Sequence, residues 1–341
     1  MIDALRRPSA SNLIAHLRRS RSSGLVVTAG TGLVVLVLAL VAARHFAQIP
    51  LPLSRGHPGL LAAAGALSLL GYAFKAYAWR QLFATHERPQ ALALAAANGG
   101  ASIAGLALPG RFDDVVRIAI VRRFRECPAG VKTLCLSLAM LGLIDTVALA
   151  PLALAASALP GSSLGVRLGL ALLGGAGVAA AALVIALPRI AASKRLLRFR
   201  LGRWLHPRTP SRREILQAWA LLSACWLTRV AGLLLILVAL GVGFSLTLVL
   251  LFLCVSSAAA ALPLGPGGSA TQAGAGAAVL IASGVGASQA VGVAVAVQAV
   301  GILVGGSIFL VAAVSRIRWR PAPLYQPVPV PARVRVAGEV R

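Results

Sequence analysis

Acidic residues are nearly missing from this chain. Asp and Glu number 8 in 341 residues, against 33 Lys and Arg, and the formal net charge is +25. Charged residues of both signs make up only 12%, about half the share of a soluble globular domain, so a soluble fold is excluded. Disorder is excluded too, because 58% of the residues are apolar and disorder needs low hydrophobicity. The few acids and the five His residues are scattered, so no metal-ligand set is visible. Ser163, Ser256, Ser257 and Ser269 have no His nearby in sequence, and no GK[ST] triplet marks a nucleotide loop. No catalytic residues, metal or cofactor are therefore expected, and the chain is not read as an enzyme. Cysteine is scarce as well. Cys127, Cys135, Cys225 and Cys254 have no metal-type spacing and read as small apolar residues. Lysine occurs only three times beside 30 Arg, within an Ala-, Gly-, Val- and Leu-rich composition, which points to a coding bias.

What is present is a series of apolar runs of about twenty residues, the length that spans a bilayer core. A nucleic-acid-binding protein of this charge carries its basic patches on a polar background, so no nucleic-acid partner is expected. Strand-like alternation is absent, which leaves the helical solution rather than the β-barrel. The fold class is an all-α polytopic membrane protein with six to eight spanning helices. Long runs occupy 24–43, 58–79, 131–158, 164–187, 215–240 and 288–314. Shorter or broken runs occupy 90–108, 244–262 and 270–286. The first run is too long for a signal-peptide core and lacks a small-residue cleavage site.

Basic residues cluster in the tail 1–23, the segment 109–132, the loop 188–214 and the tail 315–341, whereas 159–163 and 262–289 carry no charge. The positive-inside rule places both termini and loop 188–214 in the cytoplasm of a cell-membrane protein. Segment 90–108 then enters from the cytoplasm and returns as a re-entrant hairpin. Runs 244–262 and 270–286 either re-enter from outside or each cross fully. The C-terminal PAPLYQPVPVP, 321–331, reads as an extended proline-rich tail.

An offset of 157 residues lays Pro109-Gly110 over Pro266-Gly267, 131–158 over 288–315 and 58–79 over 215–236. Two transmembrane repeats follow, 24–158 and 159–314. The first begins inside and the second outside, so the repeat is inverted, as in transporters whose site lies between halves with broken helices. Pro109, Gly110, Pro266, Gly267 and Gly268 are the expected helix breaks.

Asp145 and Arg229 are the ionisable residues closest to the middle of long runs. Intramembrane charges are costly, tend to pair and tend to face a cavity. Either Arg229 contacts a lipid phosphate with Asp145 tuning it, or the two form a structural ion pair. Lys75 sits with Tyr72, Tyr77, Trp79 and Arg80 near a helix end, where snorkelling into an aromatic belt accounts for it. On 109–126, Asp113 and Arg117 have i,i+4 spacing. Arg111 and the amides after Pro-Gly can receive an anionic headgroup. Alternatively, the helix rests on anionic lipid at the interface.

The stretches LALPGRFDDVVRIAIVRRF (106–124) and LPLGPGGSATQAGAGAAVL (262–280) resemble the two signature regions of the flippase-like transmembrane family. That family includes the membrane region of lysylphosphatidylglycerol synthase/flippase proteins. The first signature is carried by Pro109, Gly110, Arg111, Asp113, Asp114, Arg117 and Arg122-Arg123. In the second, Gln272-Ala273 stands where the family has Arg-Glu, and Gln298 where an Arg is frequent. The resemblance implies two re-entrant elements and movement of lipid between leaflets. The candidate substrate contacts are Arg111, Asp113, Asp114, Arg117, Asp145, Arg229, Gln272 and Gln298. The implied partners are membrane lipids, anionic or phosphate-containing. The segment after 314 is too short for a soluble synthase domain, so aminoacyl transfer is not expected. Two function classes remain: a translocator of lipid or lipid-linked precursor, and a non-transporting scaffold or regulator of an envelope enzyme.

Overall fold

The computed structural model describes residues 57–107, 112–124, 127–159, 163–193, 198–261 and 268–316. Among these residues the protein is all helical and contains no strand. Ten α-helices follow in order: α1 Pro58–Gln81, α2 Ala91–Ala107, α3 Phe112–Arg123, α4 Val131–Ala158, α5 Leu164–Ala191, α6 Arg200–Leu205, α7 Arg212–Ala239, α8 Leu246–Ala261, α9 Gly268–Ala282 and α10 Ala287–Arg316. Of these, α1, α4, α5, α7 and α10 are long and apolar enough to cross a membrane, whereas α2, α8 and α9 are shorter apolar helices. The run 24–43 and the breakers Pro109, Gly110, Pro266 and Gly267 lie outside the described residues, and Gly268 opens α9.

Local chemistry sets the helix ends. Pro58 stands at the start of α1, where its missing N–H is no loss. The first turn of α7 is closed by a capping box: the Ser211 hydroxyl accepts from Glu214 N, and the Glu214 carboxylate accepts from Ser211 N at 2.8 Å. Gly284, at φ 90°, makes the turn from α9 into α10 in a conformation that side chains resist. In the turn before α4, burial pushes the Cys127 thiol above its ordinary value.

Helices in lipid associate by close packing rather than by a hydrophobic drive, so small residues mark the contacts. A Cβ on Gly71 would stand 3.1 Å from Thr228 Oγ1, and one on Gly232 would stand 3.7 Å from Ala64 O and 3.8 Å from Leu67 Cβ. Advancing from 228 to 232 on α7 thus moves back from 71 to 64–67 on α1, so these two helices run antiparallel. Gly71 and Thr228 are themselves 157 residues apart. The helix pairs α1/α7, α2/α8, α3/α9 and α4/α10 all begin within three residues of that same offset. The packing shows a matching pattern: α10 packs on α1 and α2, as α4 packs on α7 and α8.

Two apolar cores result. One joins Ala76, Ala78 and Trp79 of α1 and Leu82 and Phe83 just after it with α2, α4 and Ile215, Leu222 and Trp226 of α7. The other joins Ala64 to Leu233, Ile236 and Leu237 of α7, together with α8, α9 and α10. Along α1 and α7 the two are separated at the level of Tyr72 and Arg229, and Val230 touches both. At one end of the bundle the linker after α1 is clasped to the segment before α7 and to the first turn of α7. Arg208 Nη2 donates to Glu87 at 2.8 Å and Arg88 Nη2 to Glu214 at 2.5 Å, with Arg208 lying over Trp204.

The tightest helix contact is between α2 and α10, where a Cβ on Gly99 would come within 2.1 Å of Gly305 O. Gly99→Ala should therefore force these helices apart and destabilise the protein by about 1–3 kcal/mol. Gly142→Ala, whose Cβ meets nothing within 4 Å, should leave it unchanged. Thermal unfolding of both variants in detergent checks this, and equal melting temperatures would contradict the packing.

Candidate functional site

The level between the two cores is polar. Asp145 lies on the inward face of α4, with Leu141, Ile144, Ala148 and Leu149 buried around it. Its Oδ2 accepts from Lys75 Nζ at 3.2 Å, and its Oδ1 accepts from Trp226 Nε1 at 2.8 Å. One carboxylate thereby ties α1 and α7 to α4. This corrects the expectation for Lys75. Its side chain is 16% exposed and turns into the bundle against Asp145, instead of reaching outward to an aromatic belt. A turn further along α1, Trp79 Nε1 donates to Ser137 Oγ at 2.9 Å, so the α1–α4 contact is polar at two successive levels.

Arg229 lies one turn beyond Trp226 on α7, with its guanidinium over the indole at 4.8 Å. Its neighbours at helical spacing, Cys225, Trp226, Gly232 and Leu233, are all buried, so Arg229 is on the inward face. The outward stripe passes through Leu216 and Leu227. Arg229 is nevertheless exposed. On that inward face its guanidinium is therefore reachable from outside the chain. The expected Arg229–Asp145 pair takes a modified form. The two interact electrostatically, but Lys75 and Trp226 are the direct partners of the carboxylate. Among the described residues, no ion pair within 4.0 Å includes Arg229. Lys75, Asp145 and Arg229 together leave one positive charge in surplus.

Tyr72 completes this level. Its hydroxyl shares a hydrogen bond with Ser102 Oγ on α2 at 2.6 Å and reaches Gly301 O on α10 at 3.2 Å. It also interacts electrostatically with Arg229 and with Arg117 of α3. Tyr72 and Arg229 are 157 residues apart and so occupy the same position in α1 and α7.

The other candidates from the sequence fall in different places. Asp113 and Arg117 form the expected i,i+4 pair at 3.1 Å, and Asp114 adds a second contact to Arg117 at 2.5 Å. Arg117 thus adjoins the Tyr72 level already held by two carboxylates. Gln298 precedes Gly301 by three residues on α10, which puts it on the Tyr72 side of that helix. Gln272 is half-buried near the start of α9, away from the α1–α4–α7 junction in sequence. Arg111 lies outside the described residues. Sequence reasoning missed Lys75, Trp226, Tyr72 and Ser102 as members of one cluster. Their only advance signal was that each is polar or amphipathic on the buried side of an apolar run.

The model of the family described as lysylphosphatidylglycerol synthase TM region matches residues 24–308. The chain belongs to this family. No curated protein and no solved structure matches it. As a member of the lysylphosphatidylglycerol synthase transmembrane family with five helices long enough to span a bilayer, it is a membrane protein, and its family relates it to lipid metabolism or transport.

The Lys75–Asp145 pair generates a prediction. Removing one partner strands the other charge between the helices, whereas removing both does not. Lys75→Met and Asp145→Asn should each lower stability more than the double variant does. The coupling should be roughly 0.5–3 kcal/mol, read from thermal unfolding of the four proteins. Additive losses would mean that the two groups do not interact.

Proposed function

We propose that this protein translocates an anionic, phosphate-bearing lipid or lipid-linked precursor between membrane leaflets, and that Arg229 is the group that receives the phosphate. The observation that carries the reading is the environment of Arg229. It is a cation on an inward helix face, exposed, stacked on Trp226, and without a carboxylate at ion-pair distance among the described residues. An Arg in low dielectric binds phosphate oxygens through paired charge-assisted hydrogen bonds, and an uncompensated one is costly. A phosphate supplies the missing charge. Asp145, held by Lys75 and Trp226, keeps the indole beneath the guanidinium and prevents the local surplus from rising to two.

The same reading takes the two sets of four helices as inverted repeats. The antiparallel course of α1 and α7, the shared 157-residue offset and the position of Tyr72 opposite Arg229 support it. The site then lies at the repeat interface, where the two apolar cores part. Residues 91–107 form one continuous helix rather than the hairpin expected within 90–108, so α2 with α3 in one half, and α8 with α9 in the other, are taken as the re-entrant pairs dipping from opposite faces. Both termini and the linkers clasped through Glu87, Arg88, Arg208 and Glu214 are taken as cytoplasmic in the cell membrane. The chemistry is transfer without covalent change, so no enzymatic step is assigned. Arg117, with Asp113 and Asp114, borders the site from α3, and Gln298 borders it from α10.

Arg229→Gln keeps a polar, hydrogen-bonding side chain and removes the charge. In reconstituted vesicles the folded variant should lose leaflet-to-leaflet transfer of a fluorescent phosphatidylglycerol by about a hundredfold or more, the scale of one lost ionic contact. Transfer at the parental rate by folded Arg229→Gln protein would reject the assignment.

A further inference from the structure

Asn98 has no place in the cluster described above, yet it is the most isolated polar group among the described residues. It is 3% exposed, and both Oδ1 and Nδ2 of its amide are buried without a hydrogen-bond partner. A buried amide left unsatisfied destabilises the state in which it is unsatisfied. The helix stretch that carries it is closely packed. Gly99 and Gly100 press against Gly305 of α10 and Ile120 of α3, and the whole stretch Ala96–Ala101 is buried.

Its position is specific. Ser102, which holds the Tyr72 hydroxyl, lies one turn further along α2, and its own hydroxyl donates to Asn98 O at 3.1 Å. Residues at i and i+4 share a helix face, so Asn98 is one turn from the Tyr72–Arg229 level, toward the start of α2. The linker 82–90 turns the chain back from α1 into α2, which pack together. One turn toward the linker from Tyr72 on α1 stands Lys75. The amide thus continues the polar level toward the end of the bundle closed by the Glu87–Arg208 and Arg88–Glu214 pairs. On α8, the hydroxyl of Ser256 is likewise buried without a partner. It is within one residue of the position 157 beyond Asn98.

We propose that Asn98 is a headgroup-contacting residue. When α1 parts from α2, its amide donates to a phosphate oxygen and accepts from a headgroup hydroxyl, on the path between Arg229 and the linker end of the bundle. This rests on the translocation reading and extends it to a second station. The amide is unpartnered in the closed bundle because its partner is the passing headgroup.

Two variants of the full-length protein test the proposal. They are reconstituted into phosphatidylcholine vesicles with or without phosphatidylglycerol. Asn98→Leu fills the same space without polar atoms. It should melt at or above the parental temperature and transfer a fluorescent phosphatidylglycerol roughly tenfold more slowly, the effect of one lost hydrogen bond to a charged group. A folded Asn98→Leu protein transferring at the parental rate overturns the proposal. Asn98→Cys, in a chain whose native cysteines are replaced, reads the path without relying on transfer. Its thiol should react with a water-soluble maleimide roughly tenfold faster when phosphatidylglycerol is present, and Arg229→Gln should abolish that increase. A thiol inert under both lipid conditions overturns the proposal. Lipid-dependent labelling by a protein that transfers nothing would keep Asn98 as a headgroup contact and remove translocation instead.

Discussion

A guanidinium in the middle of an apolar bundle must be compensated, and the rest of this structure is arranged around that requirement. Arg229 is held over an indole, near a carboxylate that already serves two other donors. The ring face offers partial relief, and Asp145 offers attraction without direct contact. Neither completes the neutralisation. Scarcity of acid makes this consequential, because a chain with 8 acidic residues has few with which to neutralise a buried Arg. In the proposed function, compensation comes from a lipid phosphate that enters the bundle.

The same level is where polar contacts join the helices, beside the close approach of Gly71 to Thr228. The apolar cores lie on either side of it, and the contacts across it are hydrogen bonds and an ion pair. Such contacts can be exchanged for contacts to a polar ligand at little net cost, whereas separating a close-packed apolar seam cannot. By contrast, Gly99 against Gly305 and Gly177 against Ala150 are backbone-close contacts that weld α2 to α10 and α4 to α5. A bundle with welded pairs and a polar seam between them favours motion of pairs as units.

Much of the architecture was legible in the residues alone. The run 131–158 is α4 to the residue, and 215–240 is α7 shifted by three positions or fewer, because apolar length and flanking charge set where a lipid-embedded helix ends. The Asp113–Arg117 pair was legible because its spacing is local. The cluster was not. Asp145 meets a donor 70 residues earlier and another 81 residues later, and no periodicity reports such distances. Lys75 was misread for a physical reason. A lysine near a helix end with aromatic neighbours has two low-energy directions, outward to the interface or inward to an acid. Only the depth of the neighbouring helix decides between them. The clasp of Glu87 to Arg208 and Arg88 to Glu214 was hidden for a similar reason, since its partners lie in linkers and a helix's first turn more than 100 residues apart.

The central claim is that the charge opposite Arg229 comes from a lipid. A density map of the protein in nanodiscs containing phosphatidylglycerol tests it most directly. The account predicts a phosphate within hydrogen-bonding reach of the Arg229 guanidinium, with Asp145 still held by Lys75 and Trp226. A map in which the site is empty of lipid and Arg229 has turned onto Asp145 to form a closed ion pair would contradict it.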